Sequence, residues 1–314
     1  MTTENIHRSI LDTIGNTPLV ELARLGRGLE ARLCAKIERF NPLGSVKDRP
    51  AYAMIETAEK SGALKPGMTI VEATSGNTGL GLAMVSAVKG YKVKFLMEEG
   101  LDTSEGFVKI AELFGAEIER LPSFSEAVEK SLELAKAPDS EYFVTQQFQN
   151  PANPDAHYKT TAEEILRDTG GEVKAFVASF GTGGTISGVG KRLKEHDPSI
   201  RVVLVEPDTV PVLSNPAAVT CSDIHGVGPN FAPKNLHREY IDECRQVTEA
   251  EAREFMIRLA REEGILVGPS SGAIVAKALE VASEFEKGDI VVCVLCDLGE
   301  RYVVEGVLDS SVSP

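Results

Sequence analysis

Short apolar runs alternate with longer amphipathic stretches along this chain of 314 residues. Runs such as KVKFLM, RVVLVEP and DIVVCVL are too short for helices and are bounded by turn residues. They predict strands over 31–38, 69–73, 92–97, 116–121, 142–147, 175–180, 201–207 and 289–295. Between them, apolar residues recur at spacings of three and four. That period predicts helices over 49–62, 80–90, 107–115, 125–136, 159–170, 185–196, 249–264 and 273–288. Many of these stretches close on glycine, as helix ends commonly do. The alternation predicts an α/β protein with mostly parallel sheets. The length predicts one large or two medium domains, and neither a short-period repeat nor a low-complexity linker interrupts it.

Composition adds exclusions rather than a function. Hydrophobic content of 42% and charged content of 25% are ordinary for a soluble globular protein. A net charge of −14 argues against a nucleic-acid or anionic-membrane partner, because phosphate binding needs a basic face. A local basic pocket for a small anion stays open. No apolar run reaches the length of a membrane span, and the first residues lack a charged-then-apolar signal pattern. Cys34, Cys221, Cys244, Cys293 and Cys296 are odd in number and mostly isolated. They read as reduced thiols in a cytoplasmic protein. Cys293 and Cys296 have CxxC spacing, but they sit in an apolar run with no second Cys or His pair near it, so no metal is expected.

Candidate chemistry lies at three glycine-rich joints between a strand and a helix, where open parallel sheets bind ligands. In EATSGNTG, Thr74, Ser75, Gly76, Asn77 and Thr78 precede a helix expected near Gly79. Hydroxyls and an amide beside a positive helix end suit a carboxylate. Turn and cap residues alone explain the composition equally well. In AFVASFGTGGTISG, Gly181, Thr182, Gly183, Gly184 and Thr185 have the make-up of a phosphate cradle. Glycines kept only for tight helix packing are one alternative. A dinucleotide loop with Glu206 as its ribose-binding acid is another, although Ile186 stands where GxGxxG needs its third glycine. In GILVGPSSGAI, a strand-like stretch reaches Gly268, and Pro269, Ser270, Ser271 and Gly272 lead to a helix; taken alone, this reads as a capped helix start.

These joints fall within an ordered set of matches: TIGNTPLVEL, NPLGSVKDRP, EATSGNTG, QQFQNPANPDAHYKTTAEEI, GTGGTISG, GPSSGA and GERY. The set covers almost the whole chain and resembles the cysteine synthase family, which includes O-acetylserine sulfhydrylases and cystathionine β-synthases. The resemblance implies a fold-type II pyridoxal-phosphate enzyme with the tryptophan synthase β-like fold, two open twisted sheets flanked by helices. It implies a smaller mobile domain over 41–150 and a larger one from 1–40 plus 151–314, with the cofactor in the cleft between them. Lys47 then forms the Schiff base with pyridoxal 5'-phosphate. A reactive amine needs a lowered pKa, and the start of a helix, with Pro50 in its first turn, supplies positive potential. Gly181, Thr182, Gly183, Gly184 and Thr185 hold the phosphate, and Asn77 bonds the ring oxygen. Ser270 faces the pyridine nitrogen. Being a hydroxyl, it leaves the ring a weak electron sink that favours loss of a β-substituent. Thr74, Ser75, Thr78 and Gln147 bind the substrate α-carboxylate. Asp48 and Arg49 are expected in surface or structural ion pairs.

The resemblance implies β-replacement on an amino-acid substrate, O-acetyl-L-serine plus sulfide giving L-cysteine and acetate. Cystathionine β-synthase-like or diaminopropionate-type chemistry with another donor or nucleophile is the alternative, and a nicotinamide dehydrogenase is a reading of a different class. A homodimer is usual in the family. Relatives also take the C-terminal tail of serine acetyltransferase into the site. The chain departs from the pattern in places. Gly106 or Phe107 stands at an arginine position, Ala162 begins AEEI, and CDLGERY replaces the usual PSSGERY. The mouth segment over 225–233 reads HGVGPNFAP, with Pro229 and Asn230 for two small residues and His225 as a polar pocket residue or a hydrogen-bonded loop histidine. Asp297 reads as a strand-ending carboxylate outside the site.

Overall fold

The computed structural model describes residues 6–100, 104–137, 139–216 and 224–304. Cys221 lies outside them. One sheet has six strands in the order β1 (Leu19–Glu21), β2 (Arg32–Ile37), β10 (Ile290–Leu295), β7 (Val173–Ser179), β8 (Arg201–Pro207), β9 (Glu243–Val247). β1 is antiparallel to β2; the other neighbours are parallel. A second, all-parallel sheet has the order β5 (Ala116–Leu121), β4 (Lys92–Glu98), β3 (Thr69–Ala73), β6 (Tyr142–Val144). Helices cover both faces of the larger sheet, so its central strand β10 is buried at every position and reads as an unbroken apolar run.

The eight predicted strands are present. β1 and β9 are additional, and both lie on sheet edges. β1 has three residues, and β9 (ECRQV) buries only Val247, so neither carries an apolar pattern. The strand expected over 142–147 stops at Val144 because Gln146 takes a left-handed backbone with φ 54°.

The eight predicted helices are α1 (Asp48–Ser61), α2 (Asn77–Lys89), α3 (Ser104–Leu113), α4 (Phe124–Leu134), α6 (Thr161–Asp168), α7 (Gly184–His196), α8 (Glu249–Arg258) and α9 (Pro269–Ala282). α8 continues as a π-helical turn over Leu259–Glu263. α2 and α9 begin before their apolar patterns do, because polar and small residues build their first turns. Two further helices are α5 (Ala152–Lys159) and α10 (Glu300–Val304). No helix was expected over 148–158; Pro151 and Pro154 both fall at the start of α5, where a missing N–H is harmless. α5 packs closely on α7: a Cβ at Gly184 or Gly188 would run into Asn153 or Pro154.

Two features fix the loop before α1. Val46 N–H donates to Cys296 O at 2.8 Å, Leu298 N–H donates to Gly44 O at 3.1 Å, and Ser45 bridges Asp297. Gly44 has φ +76°, and a Cβ there would collide with Leu298. On α1 itself, Arg49 is buried against Glu38 at 2.7 Å and Glu164 at 2.6 Å. Lys36, fully buried, meets Glu164 at 2.8 Å and Thr17 O at 2.6 Å. Burial works against the Glu164 charge, but Arg49 and Lys36 hold its carboxyl down at about 2. Arg49 is thus a structural ion pair, as expected. Asp48 is not: its carboxylate accepts the Leu43 N–H at 2.7 Å, and burial pushes it up to about 7.

Candidate active site

Helices α1, α2, α7 and α9 begin at one cleft of about 1280 Å³, beside the carboxyl ends of β3, β7 and β10. The structure brings every sequence-predicted site residue to it. Lys47 enters from the start of α1. Thr74, Ser75, Asn77 and Thr78 come from the β3–α2 joint, and Gln147 from the turn after β6. Gly181, Thr182, Gly183, Gly184 and Thr185 come from the β7–α7 joint, and Ser270 from α9.

The helix starts themselves separate ligand binding from mere capping. A side-chain cap closes α4 (Ser123), and Thr248 closes α8 with a full capping box; neither residue lines the cleft. At the cleft, the positions before α1, α2, α7 and α9 are Lys47, Gly76, Gly183 and Gly268, with no side-chain cap at any of them. The serines and threonines of the joints therefore do not occupy the N-cap positions, although Thr182 Oγ1 accepts the Gly184 N–H at 3.5 Å. First-turn N–H groups without intrahelical partners, and their positive helix ends, are left for an anion.

In the GTGGT loop Gly183 takes φ +84°, and a Cβ on it would strike the Leu236 backbone at 2.8 Å. Asn153 donates to Thr182 Oγ1 at 2.9 Å, and Thr185 meets His157 Nε2 at 3.3 Å. Burial, aided by the charge of Arg49, pushes His157 down to about 3, so the imidazole is neutral. The helix-packing alternative holds in part, since Gly184 gives Asn153 its room. It does not account for the uncapped α7 start.

Thr78 donates to Gln147 Oε1 at 2.6 Å. Nothing among the described residues pairs with the Lys47 amine. Ser271 accepts the Cys296 N–H at 2.8 Å, and Ser270 bonds the Cys296 thiol, which burial pushes up to about 12. That thiol is neutral at ordinary pH.

Sequence reasoning left Asp297 out, and the structure puts it in the cleft wall. It is fully buried, accepts from Asn77 and from the Tyr302 hydroxyl, each at 2.7 Å, and burial raises its pKa. Arg301 donates to Asn77 Oδ1 and, at 2.7 Å, to Leu43 O. Asn153, His157, Phe148, Arg301 and Tyr302 were also missed. All lie in quoted motifs or beside them, but only folding shows which face the cleft. Glu206, the acid of the dinucleotide alternative, is a buried residue of β8 itself. It accepts Leu213 N–H at 2.9 Å, Ser214 N–H at 3.1 Å and the Ser214 hydroxyl, so it is consumed by a loop. His225 lies exposed at the cleft with its ring 6.0 Å from that of Tyr302 and no hydrogen bond among the described residues. Phe107 is buried against the start of α2.

An anion cradle of uncapped N–H groups and two threonine hydroxyls, facing an unpaired lysine across one cleft, fits a cofactor carrying both a phosphate and an aldehyde. The model of the pyridoxal-phosphate dependent enzymes matches residues 10–297, and the chain belongs to that family. A probable cysteine synthase of Bacillus subtilis is 46% identical over 303 residues, 93% of this chain and 94% of that protein. The crystal structure of the cysteine synthase of Entamoeba histolytica superposes with a TM-score of 0.93 at 36% identity, covering 100% of this chain and 95% of that one. An O-ureido-L-serine synthase superposes with a TM-score of 0.91 at 40% identity, covering 98% and 97%.

Proposed function

We propose that this enzyme is a cysteine synthase, replacing the acetoxy group of O-acetyl-L-serine with sulfide to give L-cysteine and acetate. The observation that carries the reading is the meeting of Lys47, the uncapped α7 cradle and the Thr74–Thr78 joint in one cleft, in a chain 46% identical to a probable cysteine synthase. Gly181, Thr182, Gly183, Gly184 and Thr185 hold the phosphate, Asn77 the ring oxygen and Ser270 the ring nitrogen. When bound through Lys47, pyridoxal phosphate supplies the electron sink for bond breaking at the α-carbon.

The chain's own residues do the rest. Thr74, Ser75, Thr78 and Gln147 bind the α-carboxylate and orient the amino acid. Lys47 Nζ takes the α-proton as general base and later returns it. The buried cleft wall excludes water while acetate leaves and sulfide enters.

The two sheets are the cores of two domains, 41–150 and 1–40 plus 151–314, and the smaller closes over the carboxylate. The reading carries a cytoplasmic homodimer whose cleft can admit a serine acetyltransferase tail; sedimentation and competition by a tail peptide test these. A second reading rests on the mouth. His225 stands exposed at the cleft and the buried Asp297 lines the same cleft, which favours a different leaving group or nucleophile. The experiment is a visible spectrum of the loaded protein with O-acetyl-L-serine, then sulfide. A band that shifts and then recovers as cysteine appears supports the first reading. A band blind to O-acetyl-L-serine but responsive to O-phosphoserine or serine supports the second.

A further inference from the structure

Glu72 is a carboxylate one residue from the end of the parallel strand β3, beside Ile70, Val71 and Ala73, and it is 3% exposed. It does not line the cleft. Among the described residues it forms no ion pair, so no cation offsets its burial. Its oxygens are instead met by the turn that follows β6. The Thr145 hydroxyl donates to Oε2, and the Gln147 N–H donates to the same oxygen at 3.2 Å. The backbone N–H groups of Ala73 and Gln146 also point at the carboxylate. Burial pushes Glu72 up to about 7 against these donors. Such an arrangement is expensive for a strand residue unless it builds something.

What it builds is the turn that carries Gln147. β6 stops at Val144, paired with Val71, and the next residue but one takes φ 54°, a conformation uncommon for any residue but glycine. That twist aims two consecutive N–H groups inward at Glu72 and brings the Gln147 side chain to Thr78 and to Ala73 O at 3.3 Å. One carboxylate thus ties the β3 end, which leads into Thr74, to the turn that supplies Gln147.

We infer that Glu72 is a positioning residue for the substrate carboxylate: it holds the Gln146–Gln147 turn in register with the Thr74–Thr78 joint, and so sets the affinity for the amino acid without touching it. The inference rests on the assignment of Gln147 to the α-carboxylate.

The test is to titrate O-acetyl-L-serine into pyridoxal-phosphate-loaded wild type, Glu72→Gln, Glu72→Asp and Gln147→Ala, following the visible band, with steady-state KM and kcat alongside. Glu72→Gln puts a donor where two N–H groups need an acceptor. It is expected to raise the dissociation constant and KM at least tenfold, with kcat falling less than threefold and the band of the amino-acid-free protein unmoved. Glu72→Asp is expected to lie between. Wild-type affinity in Glu72→Gln, with weakened affinity in Gln147→Ala, overturns this inference and leaves the site reading standing. Wild-type affinity in Gln147→Ala overturns both. Should Glu72→Gln fail to fold, Glu72→Asp decides alone: a threefold or greater rise supports the role, and an unchanged constant overturns it.

Discussion

The Asn77 amide donates to Asp297 Oδ2 at 2.7 Å, and the other oxygen of that carboxylate is buried with no partner among the described residues. An orphaned buried oxygen makes the charged form costly, which is why burial raises the Asp297 pKa. A carboxyl raised in the folded state binds its proton more tightly there than when unfolded. Its stability contribution is therefore greatest at low pH and is lost as pH rises through the folded pKa. Asp297→Asn removes this dependence while keeping an acceptor for Asn77. Its stability relative to wild type is expected to improve from pH 5 to pH 8, as read by urea unfolding at both. A constant difference would show that Asp297 does not titrate in that range.

Lys47 carries the clearest activity prediction. On the proposed mechanism, Lys47→Ala is expected to lower turnover at least about 10³-fold, since that reading gives Lys47 both the anchoring and the general-base role. Its circular dichroism should match wild type, because the amine has no partner among the described residues. Retained turnover in purified, cofactor-loaded variant would remove Lys47 from the mechanism.

Glu164 serves two buried cations at once, Arg49 and Lys36. Deleting it leaves both with incomplete compensation. Removing one partner of a buried pair typically costs about 3–5 kcal/mol. Glu164→Ala is expected to lose at least that much in chemical denaturation. Because Arg49 sits two positions from Lys47, a fall in cofactor affinity should accompany the loss. A variant within 1 kcal/mol of wild type would mean that the cluster rearranges or hydrates freely.

His157 gives an acid-side prediction of opposite sign to Asp297. Its folded pKa is about 3, against an ordinary value near 6.5. The unfolded chain binds the proton first, so stability falls as pH drops through that window. The slope approaches about 1.4 kcal/mol per pH unit. His157→Gln removes the term, and the stability gap between wild type and variant is expected to narrow steadily below about pH 6.5. Parallel stability curves would show that the imidazole is solvated.

Most of the layered fold was legible because buried parallel strands announce themselves. IVVCVL and RVVLVEP allow little but a sheet interior. The polar edge β9 and the proline-led α5 gave no such signal, since one lies at the sheet rim and the other starts with residues that usually mean loop. Within the site, the GTGGT loop stood out by its composition at a strand-to-helix joint, whereas Lys47 and Asn77 took their roles from the family resemblance. Asp297 had neither signal. Its role depends on Asn77, 220 positions away, and on Tyr302 folding over it. Nor did the joints reveal alone whether their hydroxyls were caps. That took the glycine at each cap position, visible only once the helices had begun earlier than their apolar periods suggested.

The stitching of the Lys47 loop to the segment around Asp297 has a consequence for biosynthesis. Arg301 and Leu43, which close that seam, are 258 positions apart. A ribosome adding about 5–20 residues per second needs roughly 13–50 s to cover that distance. Through that interval the nascent chain has its lysine but neither the backbone partner of residues 44–46 nor the acid that steadies Asn77. The cleft around Lys47 is therefore complete only once translation has passed Arg301.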